Sequence, residues 1–386
     1  MRYLFGFLCV CTLGVLPLVG CGDDSQGCES ATDGTPCGNG AGTCQQGSCQ
    51  VACTEGGIRD AIAVGGGPYT FACNGPTTIV TAATIDIYND VILDGEGNVI
   101  LDANDRHRVT TVPPDVTATI EGMRITRGYV LHGNGGGIAT TGTLNLTNST
   151  VSGNTADERD GSCCRGIGGG IYNAGTLTLT NTTVSGNKVF GGWDDPVLCL
   201  FPPCAPYLEG GEGGGIYSEG GVVSLVNSTV SGNTAQDWGG GVFATGTLYV
   251  TSSTVSGNTA PWAGGIVGRD VLLANSVVDG DCTPRWSDES ATSFTSFGYN
   301  IESPGDTCGF DQASDQVNVG ADDLKLGPLQ DNSGPTETHA LGAGSVAIDQ
   351  IPAEDCEVET DQRGLPRPAG TTDPKRCDVG AFEAQP

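Results

Sequence analysis

Residues 106–132 contain a concentration of positively charged side chains that could take part in catalysis. The cationic and titratable side chains of this stretch are Arg106, His107, Arg108, Arg124, Arg127 and His132. The carboxylates of Asp102, Asp105 and Glu121 are near them in sequence. A cationic base with acidic calcium ligands could cleave an acidic polysaccharide, and paired carboxylates could hydrolyse a glycosidic bond. The competing interpretation is a solvated surface whose charges pair with one another.

A second set of candidate residues is aromatic and recurs at one position of a repeated motif. Tyr172, Tyr217 and Phe243 each follow an aliphatic residue. If the aliphatic residues face the core, the rings form an outward ladder that could bind sugar faces or a protein partner. Alternatively the register is reversed, or the rings cover bare glycine backbone. Ala139 and Val267 occupy the equivalent positions on either side and end the ladder.

Other motifs indicate no cofactor, metal ion or catalytic group. The chain has no GxSxG elbow, HExxH motif, phosphate-binding loop or EF-hand loop. Asp279-Gly280-Asp281 could bind calcium, but it is equally typical of a turn beside Cys282. His339 is assigned a structural role. We therefore predict no catalytic residue, no cofactor and no metal site.

Composition limits the class of protein. The 386 residues include 63 Gly and carry a formal charge of -29. So acidic a surface repels phosphate, which excludes a general nucleic-acid binder. There is no G-X-Y period, and the 37% hydrophobic share is too high for a disordered acidic tail. The composition indicates a polar, glycine-rich, folded β protein.

The first twenty residues have the form of an export signal. Met1-Arg2 is a short positive start, and residues 3–19 are almost wholly apolar. Leu18-Val19-Gly20-Cys21 resembles the lipobox of bacterial lipoproteins, in which the Cys is acylated after cleavage. The alternative is an ordinary secretory signal. The resemblance implies that Cys21 carries a lipid, and that this lipid alone attaches the protein to a membrane.

Cysteine usage agrees with export. Fourteen of the 17 cysteines remain once Cys9, Cys11 and Cys21 are set aside. An even number in an exported chain predicts disulfide bonds, whereas zinc would require facing CxxC pairs or nearby histidines. Beyond an N-terminal group of four, the disulfide candidates are Cys53, Cys73, Cys163, Cys164, Cys199, Cys204, Cys282, Cys308, Cys356 and Cys377.

Internal repeats position these residues. Four segments of the form NSTVSGN end at Asn154, Asn187, Asn233 and Asn258, with spacings of 33, 46 and 25 residues. Each follows a GGG start and an alternating stretch such as TLNLTN, a pattern that predicts strands. Residues 155–167 and 188–212 account for the longer spacings and are expected to be insertions that leave the repeats at turns.

Alignment of the repeats predicts two inward-facing apolar columns. The first comprises Leu144, Leu177, Val223, Leu248 and Val271, and the second comprises Leu146, Leu179, Leu225, Val250 and Leu273. Ile120 extends the second column upstream, and Ile125 matches Val151. Intervening side chains such as Thr178 are expected to point to water.

A repeat of about 25 residues cannot bury its apolar face alone, so successive repeats must stack. Three short strands per repeat and no helix pattern then predict an all-β parallel β-helix, with strands about 4.8 Å apart along its axis. We expect the recurrent Asn residues to form a stacked amide ladder. Residues 22–52, with four cysteines, look like a short EGF-like stalk module.

The repeats resemble a known family. The GGGI start with Val-x-x-Asn is similar to the GGAI and FxxN repeats of chlamydial polymorphic outer-membrane proteins. Val151, Val184, Val230 and Val255 stand where that family prefers Phe. The resemblance implies a surface-exposed, right-handed parallel β-helix, and several of those relatives are adhesins. CTEGGIRDAI at Cys53 is similar to the CSLREAI-type opening of many such proteins.

The C-terminal motifs resemble the choice-of-anchor Q domain. They are LGPLQDNSGPT from Leu326, THAL at 338–341, GSVAID at 344–349, DQRG at 361–364 and CDVGAFE at 377–383. That domain occurs in exported bacterial proteins whose cell-surface anchors differ. Because only four residues follow Phe382, we expect Cys21 to provide the anchor.

We predict a signal peptide at 1–20, a Cys-rich EGF-like stalk at 21–52 and a right-handed, pectate-lyase-like parallel β-helix at 53–280. Residues 281–386 would contain the end of the β-helix and a choice-of-anchor Q C-terminal cap. The expected protein is an outer-membrane lipoprotein displayed at the bacterial cell surface. It would bind or adhere to an extracellular glycan or protein through Tyr172, Tyr217 and Phe243, with no nucleic-acid partner. The alternative is a β-helix polysaccharide lyase or glycoside hydrolase.

Overall fold

The computed structural model of the protein describes Cys28 and residues 31–158, 166–191, 210–284, 293–369 and 374–385. Through most of these residues, strands of successive coils pair in parallel. The chain therefore folds as the predicted all-β parallel β-helix.

Each coil contributes to three strand columns of one sheet. The entry column contains Ile85–Asp86, Thr110–Val112, Ile138–Thr140, Ile171–Asn173, Ile216–Ser218 and Cys282–Pro284. The middle column contains Gly66–Phe71, Thr143–Thr147, Thr176–Thr180, Val222–Val226 and Ser293–Ser296. The exit column contains Thr77–Val80, Thr150–Ser152, Thr183–Ser185, Thr229–Ser231, Thr254–Ser256, Val277–Asp279 and Ile301–Ser303. Val91–Asp102 and Thr117–Thr126 span the middle and exit columns, and Val242–Thr251 and Ile266–Ala274 span the entry and middle columns.

The predicted apolar columns form the core. Leu144, Leu177, Val223, Leu248 and Val271 are paired in register, as are Leu146, Leu179, Leu225, Val250 and Leu273. All ten side chains are buried. Ile120 pairs with Leu146, and Ile125 pairs with Val151. The predicted register is therefore confirmed, because identical repeats bring identical positions into contact.

The predicted asparagine ladder is also present. The side-chain Nδ2 of Asn154 donates to Oδ1 of Asn187, and the same 2.9 Å bond continues through Asn233 to Asn258. The ladder packs against the glycine starts, since a Cβ on Gly170 would lie 2.9 Å from the Asn187 amide. This contact explains why glycine recurs there: a side chain would displace the ladder.

A second, four-stranded parallel sheet corrects the predicted insertions. Its strands are Tyr129–Leu131, Thr155–Asp157, Lys188–Phe190 and Thr234–Ala235. The second and third strands lie in residues 155–167 and 188–212, which we expected to leave the coil at turns. Ala156, Val189 and Ala235 are buried together, so this segment continues the stack through small apolar side chains. Residues 159–165 and 192–209 lie outside the described residues.

The N-terminal end combines a small disulfide-bonded module with a helix. Strands Pro36–Cys37, Gly42–Gln45 and Ser48–Val51 are antiparallel, with a 3-10 turn at Gly38–Gly40, and the third strand pairs in parallel with Gly66–Phe71. Helix α1 (Glu55–Val64) follows. Thr54 Oγ1 accepts the Gly57 N–H at its start, and Ile58, Ala61 and Ile62 join the core of the coils. The sequence analysis did not predict this helix.

The C-terminal segment lies along the side of the coils. It contains α2 (Ala321–Leu324), the strand pairs Leu326–Gln330 with Thr338–Leu341 and Ile351–Pro352 with Arg376–Cys377, and a 3-10 turn at Ala353–Asp355. Val277 and Ile301, on the outer side of the exit column, are buried in its apolar cluster. The segment is therefore part of the folded core of the molecule.

Candidate functional site

The predicted aromatic ladder is present as a stack of rings. Tyr172, Tyr217 and Phe243 occupy paired positions on three successive entry strands. The ring centroids of Tyr172 and Tyr217 are 6.1 Å apart, and those of Tyr217 and Phe243 are 5.1 Å apart. The interplanar angles are 10° and 7°. Parallel, in-register strands place equivalent side chains close enough to stack.

The exposure of this ladder differs from the expectation. Tyr217 is only 7% exposed and Phe243 is fully buried. They belong to a second apolar cluster with Ile167, Ala263 and Val267. A Cβ on Gly213 would lie 2.8 Å from Tyr217 Cβ, and one on Gly239 would lie 3.1 Å from Phe243 Cβ. These two side chains therefore lie close to the glycine starts and are buried in this apolar cluster, and they do not form the open ligand surface that was expected.

Tyr172 is the partly exposed end of the ladder. Its hydroxyl donates to Glu219 Oε2 at 2.5 Å. Burial, and then the hydrogen bond to this carboxylate, raise the pKa of Tyr172 well above its usual value. Tyr172 is therefore a neutral phenol tied to its neighbour at physiological pH.

A stacked tryptophan pair lies beside the ladder. The ring centroids of Trp238 and Trp262 are 5.5 Å apart at an interplanar angle of 20°, and Trp262 is 58% exposed. Trp238 directly precedes the GGG start of its coil, and Trp262 precedes the equivalent Ala263-Gly264-Gly265, so the repeat alignment could have revealed the pair. Exposed indole is suited to contacts with sugars or proteins.

Several cations of the 106–132 stretch are bonded to the coils. Arg127 makes a bidentate ion pair with Asp102: its Nε donates to Oδ1 at 2.8 Å and its Nη2 donates to Oδ2 at 2.5 Å. This interaction raises the pKa of Arg127. Arg108 donates to the carbonyls of Asn134 and Gly135, and burial lowers its pKa. Such bonds link one coil to the next and leave these groups less available to a substrate.

The two histidines of this stretch are also engaged. His107 contacts the Arg108 and Thr81 carbonyl oxygens through its two ring nitrogens, at 2.7 Å and 3.0 Å. His132 Nδ1 lies 3.0 Å from Oε2 of the buried Glu158. This arrangement agrees with the interpretation in which the charges pair among themselves.

Arg124 has a different environment. It pairs with Thr150 on the exit column, as predicted, and its Nε donates to Ser152 Oγ at 3.2 Å. It lines an open cleft of about 260 Å³ between the coils and the C-terminal segment. The polar residues around this cleft also include Asn148, Thr150, Asp331, Thr336 and Glu337. The cleft could admit a polar ligand, since it joins a cation to carboxylates from a distant part of the chain.

The C-terminal motifs meet in a buried ion-pair network. Arg363 pairs with Asp361 at 2.6 Å, and its guanidinium lies 3.6 Å from the Phe382 ring centroid. Arg367 pairs with Glu383 at 3.0 Å, with both side chains 1% exposed. The DQRG and CDVGAFE motifs therefore contact one another, and their charged residues have a structural role.

His339 and Gln362 attach this segment to the coils. His339 Nε2 lies 2.8 Å from Ser231 Oγ, and burial lowers the pKa of its imidazole. Gln362 bonds to the hydroxyls of Thr183 and Thr229, which belong to successive TVS repeats. The repeated exit-column hydroxyls are thus the docking points for the C-terminal segment.

Cysteines in the described residues form five disulfide bonds: Cys28–Cys44, Cys37–Cys49, Cys53–Cys73, Cys282–Cys308 and Cys356–Cys377. The sulfurs of Cys28, Cys37 and Cys44 lie within 4.8 Å of one another, but all three are in these bonds and offer no thiolate to a metal ion. Cys21, Cys163, Cys164, Cys199 and Cys204 lie outside the described residues, and their roles stay predictions.

Comparison with known proteins gives one local similarity. Residues 227–245 match the Chlamydia polymorphic membrane protein (Chlamydia_PMP) repeat. This stretch runs from Asn227, just before one exit strand, through the Asn233 rung and the next GGG start to Thr245. No curated protein and no solved structure matches the chain significantly. Among the described residues, no helix has the length and apolar character needed to cross a membrane.

Proposed function

We propose that this chain is a lipid-anchored protein, displayed on the surface of a bacterial outer membrane, that binds an extracellular glycan or protein. The observation that carries the proposal is the polymorphic membrane protein repeat at 227–245, set in a continuous parallel β-helix. Stacked coils present long surfaces whose shape does not depend on any one loop. Such a scaffold suits recognition and adhesion.

The anchor in this proposal is Cys21. Residues 1–20 would be removed as a signal peptide, and acylation of Cys21 would hold the mature chain to the membrane. The disulfide-bonded residues that follow would act as a spacer before the first coil. The C-terminal segment would belong to the choice-of-anchor Q class, and its buried ion pairs support an intact domain there.

Binding is favoured over polysaccharide cleavage by the state of the cationic side chains. Arg108 and Arg127 are bonded to backbone and to Asp102, respectively. A net charge of -29 also opposes approach of an anionic polymer. Among the cations of the 106–132 stretch, Arg124 lines an open cleft and is the one we test for lyase or hydrolase activity.

Cys21→Ser tests the anchor. We expect the variant to lose fatty-acid labelling and to move from the membrane fraction to soluble fractions. Cys9→Ser is the matched control, because Cys9 would leave with the signal peptide. Continued membrane association of Cys21→Ser with undiminished labelling would contradict the lipoprotein proposal.

Glycan and cell-surface binding arrays, run beside an ultraviolet assay for unsaturated uronates and a reducing-sugar assay, test the activity. We expect binding without product formation by either assay. Release of unsaturated oligouronates or reducing ends by the wild type, abolished in Arg124→Ala, would instead establish the enzyme.

A further inference from the structure

The outward face of the middle column changes character along the solenoid. One outward position is Ile92 on the first of these coils and is polar on the next four, where it is Thr119, Asn145, Thr178 and Ser224. The same position becomes Tyr249 and then Leu272 on the next two coils. Phe297, directly after Ser293–Ser296, lies on this face of the following coil. The position returns to a polar residue, Thr295, on the last of these coils, so Tyr249, Leu272 and the neighbouring Phe297 form a local apolar patch on this face.

These apolar side chains form a shallow groove of about 240 Å³, here named the terminal groove. It is lined by Tyr249, Thr251, Leu272, Ala274, Phe297 and Glu357. Tyr249 is 43% exposed and Phe297 is 63% exposed. Clustered exposed rings on a sheet face mark an interaction surface, because leaving them in water forgoes their burial energy.

Glu357 lines one wall of the terminal groove, and the chain segment that carries it is acidic and held in place. Glu354, Asp355, Glu357 and Glu359 are all exposed. The Cys356–Cys377 disulfide joins this wall to the C-terminal strand pair. Asn275 Nδ2 donates to the Asp355 carbonyl at 3.0 Å, and the Tyr299 hydroxyl donates to Asp355 Oδ2 at 3.1 Å. These bonds hold the segment that carries Glu357 beside the apolar floor.

We propose that the terminal groove binds an extended protein segment in which basic side chains alternate with large apolar ones. The inference deepens the proposed binding function and rests on it. The apolar floor would bury the partner's apolar side chains, and the carboxylates of the wall would pair with its Lys or Arg. Leu272 and Ala274 can bury apolar side chains of a peptide, and they offer no side-chain hydrogen bond to sugar hydroxyls.

The charge of the whole chain narrows the choice of partner. With a net charge of -29, the chain repels a second copy of itself. It also repels nucleic acids, polyuronates and anionic lipid surfaces. A cationic partner is attracted before contact, with an association rate that falls as salt is added.

Fluorescence anisotropy on the purified chain tests this inference. The probes are three labelled synthetic peptides of about ten residues: one alternating Lys and Leu, one alternating Glu and Leu, and one alternating Lys and Ser. We expect the Lys–Leu peptide to bind at least about tenfold more tightly than either of the others. It alone combines apolar side chains for the floor with positive charges that can pair with the carboxylates of the wall.

Matched variants locate the binding. Tyr249→Ser combined with Phe297→Ser should weaken the Lys–Leu peptide about tenfold or more, whereas Tyr88→Ser, which removes a 56% exposed ring elsewhere, should not. Glu357→Gln should weaken binding more at low salt than at high salt, and Glu96→Gln should have a smaller effect. Circular dichroism spectra and melting temperatures show that each variant is folded.

Equal weakening by the groove and control variants would overturn the inference, because it would indicate general attraction to an acidic protein. Competition by neutral oligosaccharides that is lost in the Tyr249 and Phe297 double variant would overturn it in favour of a glycan. These assays use purified protein. If these peptide assays fail while Cys21→Ser leaves the membrane fraction and the wild type binds on the arrays, this inference is wrong but the proposed function still stands.

Discussion

Asp378 shows how burial alters a single residue. Its two carboxylate oxygens accept the backbone N–H groups of Asp349 and Ala384. Burial, and then repulsion from Glu383, nevertheless raise the pKa of Asp378 to about 6. Two acidic residues of the CDVGAFE motif thus share one buried site, with Arg367 as the nearby compensating charge.

The raised pKa predicts a specific dependence of stability on pH. Between about pH 4 and pH 6 the folded chain keeps a proton that the unfolded chain releases, so the contribution of Asp378 to stability falls as the pH rises. Asp378→Asn should therefore gain stability relative to wild type over this range, by about 3 kcal/mol at most. Urea unfolding at a series of pH values measures the difference. A constant difference from pH 4 to pH 7 would contradict the shift.

At the scale of elements, the Asn rungs connect one coil to the next. Each inner rung uses its whole amide: Asn233 Oδ1 accepts from the backbone and side chain of Asn187, and its Nδ2 donates to the Val184 carbonyl and to Asn258. Buried amides without partners are costly, so these rungs stabilise the stack only when the column is complete.

Asn233→Ala should therefore be more harmful than Asn258→Ala. The first change leaves buried groups of Asn187 and Val184 without partners and should lower the free energy of unfolding by about 3 kcal/mol. Asn258→Ala removes partners of Asn233 and Val230, but Asn258 itself is partly exposed, so water can enter the vacated space and the loss should be about half as large. Thermal melts of the two variants test this order. Equal losses would mean that the ladder contributes no more inside the column than at its end.

At the scale of the whole molecule, the solenoid and the C-terminal segment form one structure. Hydrogen bonds to the segment come from four successive coils, through residues that include Asn181, Thr229, Thr254 and Asn275. Gln362 is fully buried at this contact and bonds to Thr183, Thr229 and Thr336. The repeats therefore provide both the core and the docking surface.

Gln362→Leu should loosen this docking. The change leaves three threonine hydroxyls without their amide partner, so we expect a loss of about 2 to 4 kcal/mol and faster protease cleavage within residues 326–385. Gln350→Leu is the matched control, because its amide bonds only to the nearby Ile348 carbonyl. Mass spectrometry of the fragments locates the cleavage sites. Similar cleavage in both variants would show that Gln362 does not hold the segment.

Repetition in the sequence determined the architecture. Leu146, Leu179 and Leu225 were assigned to one inward column, and Asn154 to Asn258 to a ladder, because identical repeats stacked in parallel must place equivalent residues in contact. The match of Arg124 to Thr150 followed from the same alignment. Each of these inferences needs only the period of the repeat and the alternation of side chains along a strand.

Exposure and long-range pairing were decided by the tertiary structure. Tyr217 and Phe243 point away from the main core, which is one of the two registers that the alternation allowed, yet neighbouring segments bury them. The bond between Gln362 and Thr183 and the cleft between Arg124 and Glu337 join residues that no repeat relates. A periodic sequence specifies which side of a strand a residue occupies, whereas its contact with water depends on whatever else the chain folds over that side.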